Sequence, residues 1–177
     1  MNLTLPFSSR GYQTKASEDI QSVYDAGHRQ FIWTGATGSG KTIIGANETL
    51  RLANMGMRGA WLVHKEEILI QTLKKLVTYG FGPGIIRGKE SMIDSRVFVA
   101  MVQTLSRGER LQFLIKNGVK FDYVVVDECH HGAANQWIMV IEALKKANPD
   151  ILILGLTATP QRTDKIGLKQ VGYTALI

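Results

Sequence analysis

The chain reads as an α/β protein with a doubly wound, mainly parallel sheet covered by helices on both faces. Three observations carry that reading. Short runs rich in Val, Ile and Leu alternate with stretches of helical spacing. The runs keep no polar face, which is what strands buried on both sides require. A glycine-rich loop joins the first such run to the helical pattern that follows it, as in a strand–loop–helix unit.

Taken in order, residues 14–26 place Ala16, Ile20, Val23 and Tyr24 at helical spacing, and Gly27 follows as a terminator. Phe31-Ile32-Trp33-Thr34 is a strand ending in the glycine loop, after which residues 43–55 resume helical spacing until Gly56. The unit then recurs, with a strand at 60–63 and a helix at 66–79, and a strand at 97–102 and a helix at 104–117. A strand at 123–126, a helix at 136–147 and a last strand at 151–156 complete it. Residues 80–89, with four glycines and a proline, read as an exposed turn region. With no internal repeat, low-complexity tract or long linker, residues 1–177 are expected to form a single domain.

Composition bounds the setting. A 177-residue chain with 45% hydrophobic and 20% charged residues suits one ordinary globular core. Its 21 basic and 15 acidic residues give a net charge of +6, which fits a polyanionic partner but is shared by many proteins that bind none. The single cysteine, Cys129, leaves no intrachain disulfide, and residues 1–9 lack the basic start and apolar stretch of a secretory signal. Both point to the cytoplasm. No apolar run approaches the roughly 18 residues of a membrane span, so a soluble protein is expected.

The chemistry begins at Gly35-Ala36-Thr37-Gly38-Ser39-Gly40-Lys41-Thr42, a phosphate-loop pattern lying after a strand and opening a helix. Glycines let the backbone wrap so that successive N–H groups face phosphate oxygens, and the helix start adds partial positive charge there. Lys41 supplies a full charge to the β- and γ-phosphates, and the Thr42 hydroxyl is placed to coordinate Mg²⁺. The ligand this implies is ATP with Mg²⁺. Asp127 and Glu128 close the run Tyr123-Val124-Val125-Val126, at the carboxyl end of a buried strand, where open α/β sheets bind ligands. Hydrolysis needs one acid to hold the metal and another to orient or deprotonate the attacking water. Asp127 is assigned to the metal and Glu128 to the water, with Lys41 completing the catalytic set.

The loop GATGSGKT, the tetrapeptide Asp127-Glu128-Cys129-His130 and Thr157-Ala158-Thr159 after the last strand resemble, in that order, motifs I, II and III of superfamily 2 helicases. The resemblance covers nearly the whole chain. It is nearest the DExH branch that includes type III restriction translocases and bacterial or phage repair helicases, and it implies the RecA-like fold of a first motor domain. Cys129 stands where that branch commonly has alanine, a small residue for a small one, so packing rather than reactivity is expected of it.

The same resemblance extends to less specific segments. Arg10-Gly11-Tyr12-Gln13 resembles the adenine-recognising segment, making Gln13 the adenine reader, against the alternative of a solvated helix-start glutamine. Trp61-Leu62-Val63-His64-Lys65 and Val102-Gln103-Thr104-Leu105 resemble strand-end motifs that meet the nucleic-acid backbone. His64, Lys65, Gln103 and Thr104 are thus candidate phosphate contacts, the alternative being solvated side chains and an ordinary helix cap. His130, with Thr157 and Thr159, occupies the family positions that couple hydrolysis to the nucleic-acid side. His130 and His131 lack the spacing of a zinc site. Trp33, Trp61 and Trp137 lie within strand or helix patterns and are expected to pack in the core.

Motors of this family hold ATP between two RecA-like domains, and arginines of the second stabilise the transferring phosphoryl group. The second domain is not expected within these residues, residues 167–177 reading as a passage toward it, so a partner domain in cis or in trans is implied. Losing such an arginine costs about 10³ to 10⁵ in rate, so the isolated chain is expected to bind ATP and hydrolyse it poorly. Two readings follow: an ATP-dependent helicase or translocase domain, acting on DNA in preference to RNA, or a non-catalytic nucleotide-dependent module that binds nucleic acid or a protein. The lysine together with both carboxylates favours the first.

Overall fold

A computed structural model describes residues 10–36, 38–91, 94–127, 129, 134–158 and 172–177 of the chain. Helix α1 (Gly11–Asp25) precedes strand β1 (Gln30–Thr34), and helix α2 (Lys41–Asn54) leads to β2 (Gly59–Val63) and α3 (Glu66–Thr78). Then come β3 (Gly84–Arg87), β4 (Glu90–Ser91) and β5 (Val97–Met101), with the short α4 (Val102–Leu105) and α5 (Gly108–Lys116) behind them. The rest is β6 (Tyr123–Asp127), α6 (Ala134–Ala147), β7 (Leu152–Thr157) and β8 (Ala175–Leu176).

The eight strands among the described residues join one sheet in the order β4-β3-β5-β2-β6-β7-β1-β8. Every pairing is parallel except the edge hairpin of β3 with β4. The expected doubly wound sheet is therefore present, with all the parallel strands ending on one carboxyl rim.

Alternate strand residues feed two cores. Phe31, Trp33, Trp61, Val63, Val99, Val125 and Leu154 pack with Ala16 and Ile20 of α1, Ile44 and Leu52 of α2, and Leu69 and Leu76 of α3. Ile32, Leu62, Phe98, Val124, Val126 and Ile153 face the other way, against Leu105, Leu111, Leu114, Trp137, Val140 and Leu144 of α4, α5 and α6. The period-two alternation of a strand puts consecutive residues on opposite faces, and both faces are apolar because both are covered. Trp33, Trp61 and Trp137 are buried, as the sequence predicts.

Besides the two-residue edge strand β4, which the sequence reading does not contain, three elements differ from expectation. Residues 80–89 hold a strand: Ile86 is fully buried, and β3 pairs with β5 through Gly84, Ile85 and Ile86. The helix expected over 104–117 is two, α4 and α5, parted at Ser106 and Arg107. The segment read as a passage onward ends in β8, where Phe31 and Ile32 register with Ala175 and Leu176. Among the described residues, no helix is long and apolar enough to cross a membrane.

Candidate nucleotide-binding site and nucleic-acid edge

Strand register brings the site together. Thr34 at the end of β1 lies beside Thr157 of β7, and Asp127 at the end of β6 lies beside Leu156 of the same strand. The loop and the acid thus rise from the same rim with one strand between them. At the usual strand spacing the two ends stand about 10 Å apart, a gap that a triphosphate and its metal can bridge. The N–H of Gly35 donates to the Thr157 carbonyl at 3.0 Å, tying the mouth of the loop to the end of β7.

The loop needs its glycines for two different reasons. A Cβ on Gly35 would sit 2.2 Å from Cη2 of Trp33 and 2.7 Å from Oγ of Ser39, so the tryptophan under the loop leaves room for glycine alone. Gly38 and Gly40 instead adopt φ of 82° and 79°, the left-handed conformation that glycine takes at little cost. Gly40 then turns directly into α2 with no side-chain cap. First-turn N–H groups of an α-helix have no intrahelical acceptor, so this end of α2 is a donor cradle for an anion. Ser39 N donates to Ala36 O at 3.0 Å, closing the turn between them.

Lys41 is only 8% exposed, and its Nζ donates to Gly35 O at 3.4 Å, which holds the ammonium over the loop. The hydroxyl of Thr42 accepts from Lys75 Nζ at 3.3 Å, a contact from α3 that nothing in the sequence announces. Asp127 is half-buried at its strand end. These groups suit a nucleotide with its divalent ion: a glycine cradle of N–H donors, a buried ammonium, a hydroxyl and a carboxylate share one rim. Thr42 and Asp127 are the side chains that would hold the metal, with waters and phosphate oxygens completing its shell.

Gln13 is buried and lies against this loop, for a Cβ on Gly40 would come within 2.8 Å of its Nε2. Its Oε1 accepts from Arg10 N at 2.9 Å and its Nε2 donates to the Tyr12 hydroxyl at 3.3 Å. That hydroxyl donates to Ser39 O at 2.8 Å, while the tyrosine as a whole remains 45% exposed. The segment expected to read adenine is thereby bolted to the phosphate loop. Thr157 is fully buried beside it. Cys129 is buried too, its N–H donating to Leu156 O at 3.2 Å, and it packs over Gly155 as a small apolar residue would. Thr37, Glu128, His130, His131 and Thr159 lie outside the described residues.

The candidate nucleic-acid residues continue along the rim. His64 and Lys65 follow β2, with Lys65 exposed at the start of α3. Gln103 Nε2 donates to the His64 carbonyl at 2.5 Å, so its amide braces the ends of β5 and β2 against each other. Thr104 is 8% exposed, and its hydroxyl accepts from Gly88 N at 2.9 Å. It anchors the turn after β3 and keeps its own hydroxyl proton for a further acceptor.

A sheet whose strand β1 opens a glycine loop onto a helix, with an acid on the same rim across one intervening strand, defines a RecA-like domain of the phosphate-loop class. The chain belongs to the family described as type III restriction enzyme, res subunit, which it matches over residues 6–162. It is similar to the putative mitochondrial ATP-dependent helicase irc3 of Schizosaccharomyces pombe, 28% identical over 174 residues, covering 90% of this chain and 27% of that protein. It is also similar to the type I restriction enzyme EcoAI endonuclease subunit of Escherichia coli, 26% identical over 167 residues, covering 90% of this chain and 20% of that one. The fold matches the crystal structure of the UvsW helicase from bacteriophage T4 with a TM-score of 0.72 at 20% identity, over 99% of this chain and 63% of that one. The chain thus spans about a fifth to a quarter of the length of these curated relatives.

Proposed function

We propose that the chain is the ATP-binding motor domain of a superfamily 2 helicase or translocase that couples ATP hydrolysis to movement on nucleic acid, DNA in preference to RNA. The observation that carries this reading is the shared rim of the Lys41 loop and Asp127, joined through β7. Backbone N–H groups of Gly38, Gly40, Lys41 and Thr42 and the Lys41 ammonium bind the phosphates, while Gln13 takes the adenine edge beside the exposed ring of Tyr12. Thr42 and Asp127 would hold Mg²⁺, which would offset charge on the phosphates. Glu128, which follows Asp127 directly in the sequence, accepts a proton from the attacking water. His130, Thr157 and Thr159 couple this chemistry to His64, Lys65, Gln103 and Thr104, whose donors hold the backbone without reading bases. A second RecA-like domain, in cis or in trans, completes the site with its arginines.

The test is Glu128→Gln in a chain long enough to turn ATP over. Retained ATP binding with turnover reduced by a factor of about 10² or more is expected, within the usual range for a general base. Unchanged turnover would remove Glu128 from the mechanism.

A further inference from the structure

We infer that a groove at the far end of the carboxyl rim, between the turn after β3 and helix α5, takes single-stranded nucleic acid, with the phosphates on Lys89 and Arg107 and a base on Phe113. This rests on the motor reading and extends it beyond the strand-end motifs. The groove is an open depression of about 390 Å³ lined by Gly88, Lys89, Arg107, Glu109, Arg110 and Phe113. Its charge is positive, three cations against the carboxylate of Glu109. Lys89 and Arg107 are exposed.

Its floor is aromatic. Phe113 is 49% exposed, an unusual setting for a phenyl ring, and the Arg110 guanidinium lies 5.2 Å from its centroid. The same arginine donates from Nη2 to Lys89 O at 2.9 Å, and Thr104 accepts from Gly88 N at 2.9 Å. Both walls of the groove are therefore pinned, one through a residue already placed at the strand-end contacts. A cationic wall beside an open ring is the composition that holds a single strand by its backbone while stacking one base. A duplex would not suit it, since base pairs stacked on one another leave no base face free for the ring.

Position along the sheet supplies the path. Strands β2, β5 and β3 are neighbours in that order, so the turn at Gly88 lies two strands, about 10 Å, beyond Lys65. A strand crossing Lys65 and Gln103 reaches Lys89 and Arg107 within about three nucleotides at a 3.4 Å rise.

The experiment measures anisotropy of a labelled oligothymidine against the 177-residue chain across a salt series, with ATP·Mg²⁺ binding followed by calorimetry on each variant. Phe113→Ala is expected to weaken oligothymidine binding about 5- to 150-fold, the range for one lost stacked base, with the salt slope unchanged. The Lys89→Glu and Arg107→Glu pair is expected to weaken it more and to lower the salt slope by about 1.4, at about 0.7 per lost phosphate contact on a single strand. ATP binding should not change in either variant, and both should melt as the parent does because the altered side chains are exposed. Unchanged oligothymidine affinity in both variants, with Lys65→Ala still weakening it, would overturn the groove while leaving the motor reading in place. Binding of duplex in preference to oligothymidine would overturn it as well, and failure of the parent chain to bind ATP would instead strike the motor reading.

Discussion

Lys41 is 8% exposed over the loop, where the Gly35 carbonyl accepts from its Nζ at 3.4 Å. A phosphate oxygen would add a charged acceptor there, and hydrogen bonds to charged groups are worth about 1.5–3 kcal/mol. Lys41→Ala is therefore expected to weaken ATP·Mg²⁺ binding about 10- to 150-fold by calorimetry, with the fold intact by circular dichroism. Equal affinity would defeat the phosphate-loop assignment. Such residues were legible because their chemistry forces them together in sequence: the loop is eight consecutive residues, and Asp127 follows an unbroken apolar run. Gln13 became a candidate only through resemblance, since one glutamine at a helix start carries no signal of the loop 27 residues away that its neighbour Tyr12 touches. Lys75 carried none at all. Its contact with Thr42 spans 33 residues and depends on how α2 and α3 lean together, which no local pattern encodes.

At the scale of elements, α2 lies so close to the sheet that a Cβ on Gly45 would meet Trp61 at 2.7 Å and Leu156 at 2.9 Å. The same helix carries Glu48 out of solvent, with the Arg51 guanidinium at 3.0 Å as its partner one turn on. Burial raises the Glu48 pKa above 4.5 and outweighs Arg51, which lowers it. A carboxyl with a raised folded pKa binds its proton more tightly in the native state, so stability falls as pH rises from the unfolded value of 4.5 through the folded one, and is level above it. Glu48→Gln keeps an acceptor for Arg51 and removes the buried charge. Melting curves should place the variant above the parent at neutral pH, with the gap closing toward pH of about 4. A gap that widens on acidification would reverse the sign and the account with it. The elements themselves were legible wherever an apolar run stood alone, as at 31–34, 60–63 and 123–126. β3 was not, because Gly80, Gly82, Pro83 and Gly84 outweigh Ile85 and Ile86 in any local count, although pairing with β5 buries Ile86 completely. β8 is two residues long, and only its register with β1 makes it a strand.

At the scale of the whole molecule, the motor reading bears on turnover. On that reading the glycine cradle, Lys41 and Thr42 would meet a triphosphate from the end of β1 and Asp127 from the end of β6, so these described groups share the sheet side. In a loose phosphoryl-transfer transition state, charge spreads over the equatorial oxygens, and a cation reaching them from the opposite side contributes about 10³ to 10⁵ in rate. The 177 residues are therefore expected to bind ATP·Mg²⁺ and to release phosphate slowly, with little response to added DNA or RNA. A longer natural chain or a partner bringing an arginine-bearing RecA-like domain should restore turnover by about that factor. Phosphate release by these residues alone, followed with and without oligonucleotide, decides the matter: steady turnover stimulated by nucleic acid would mean that the sheet side already holds every charge the reaction needs.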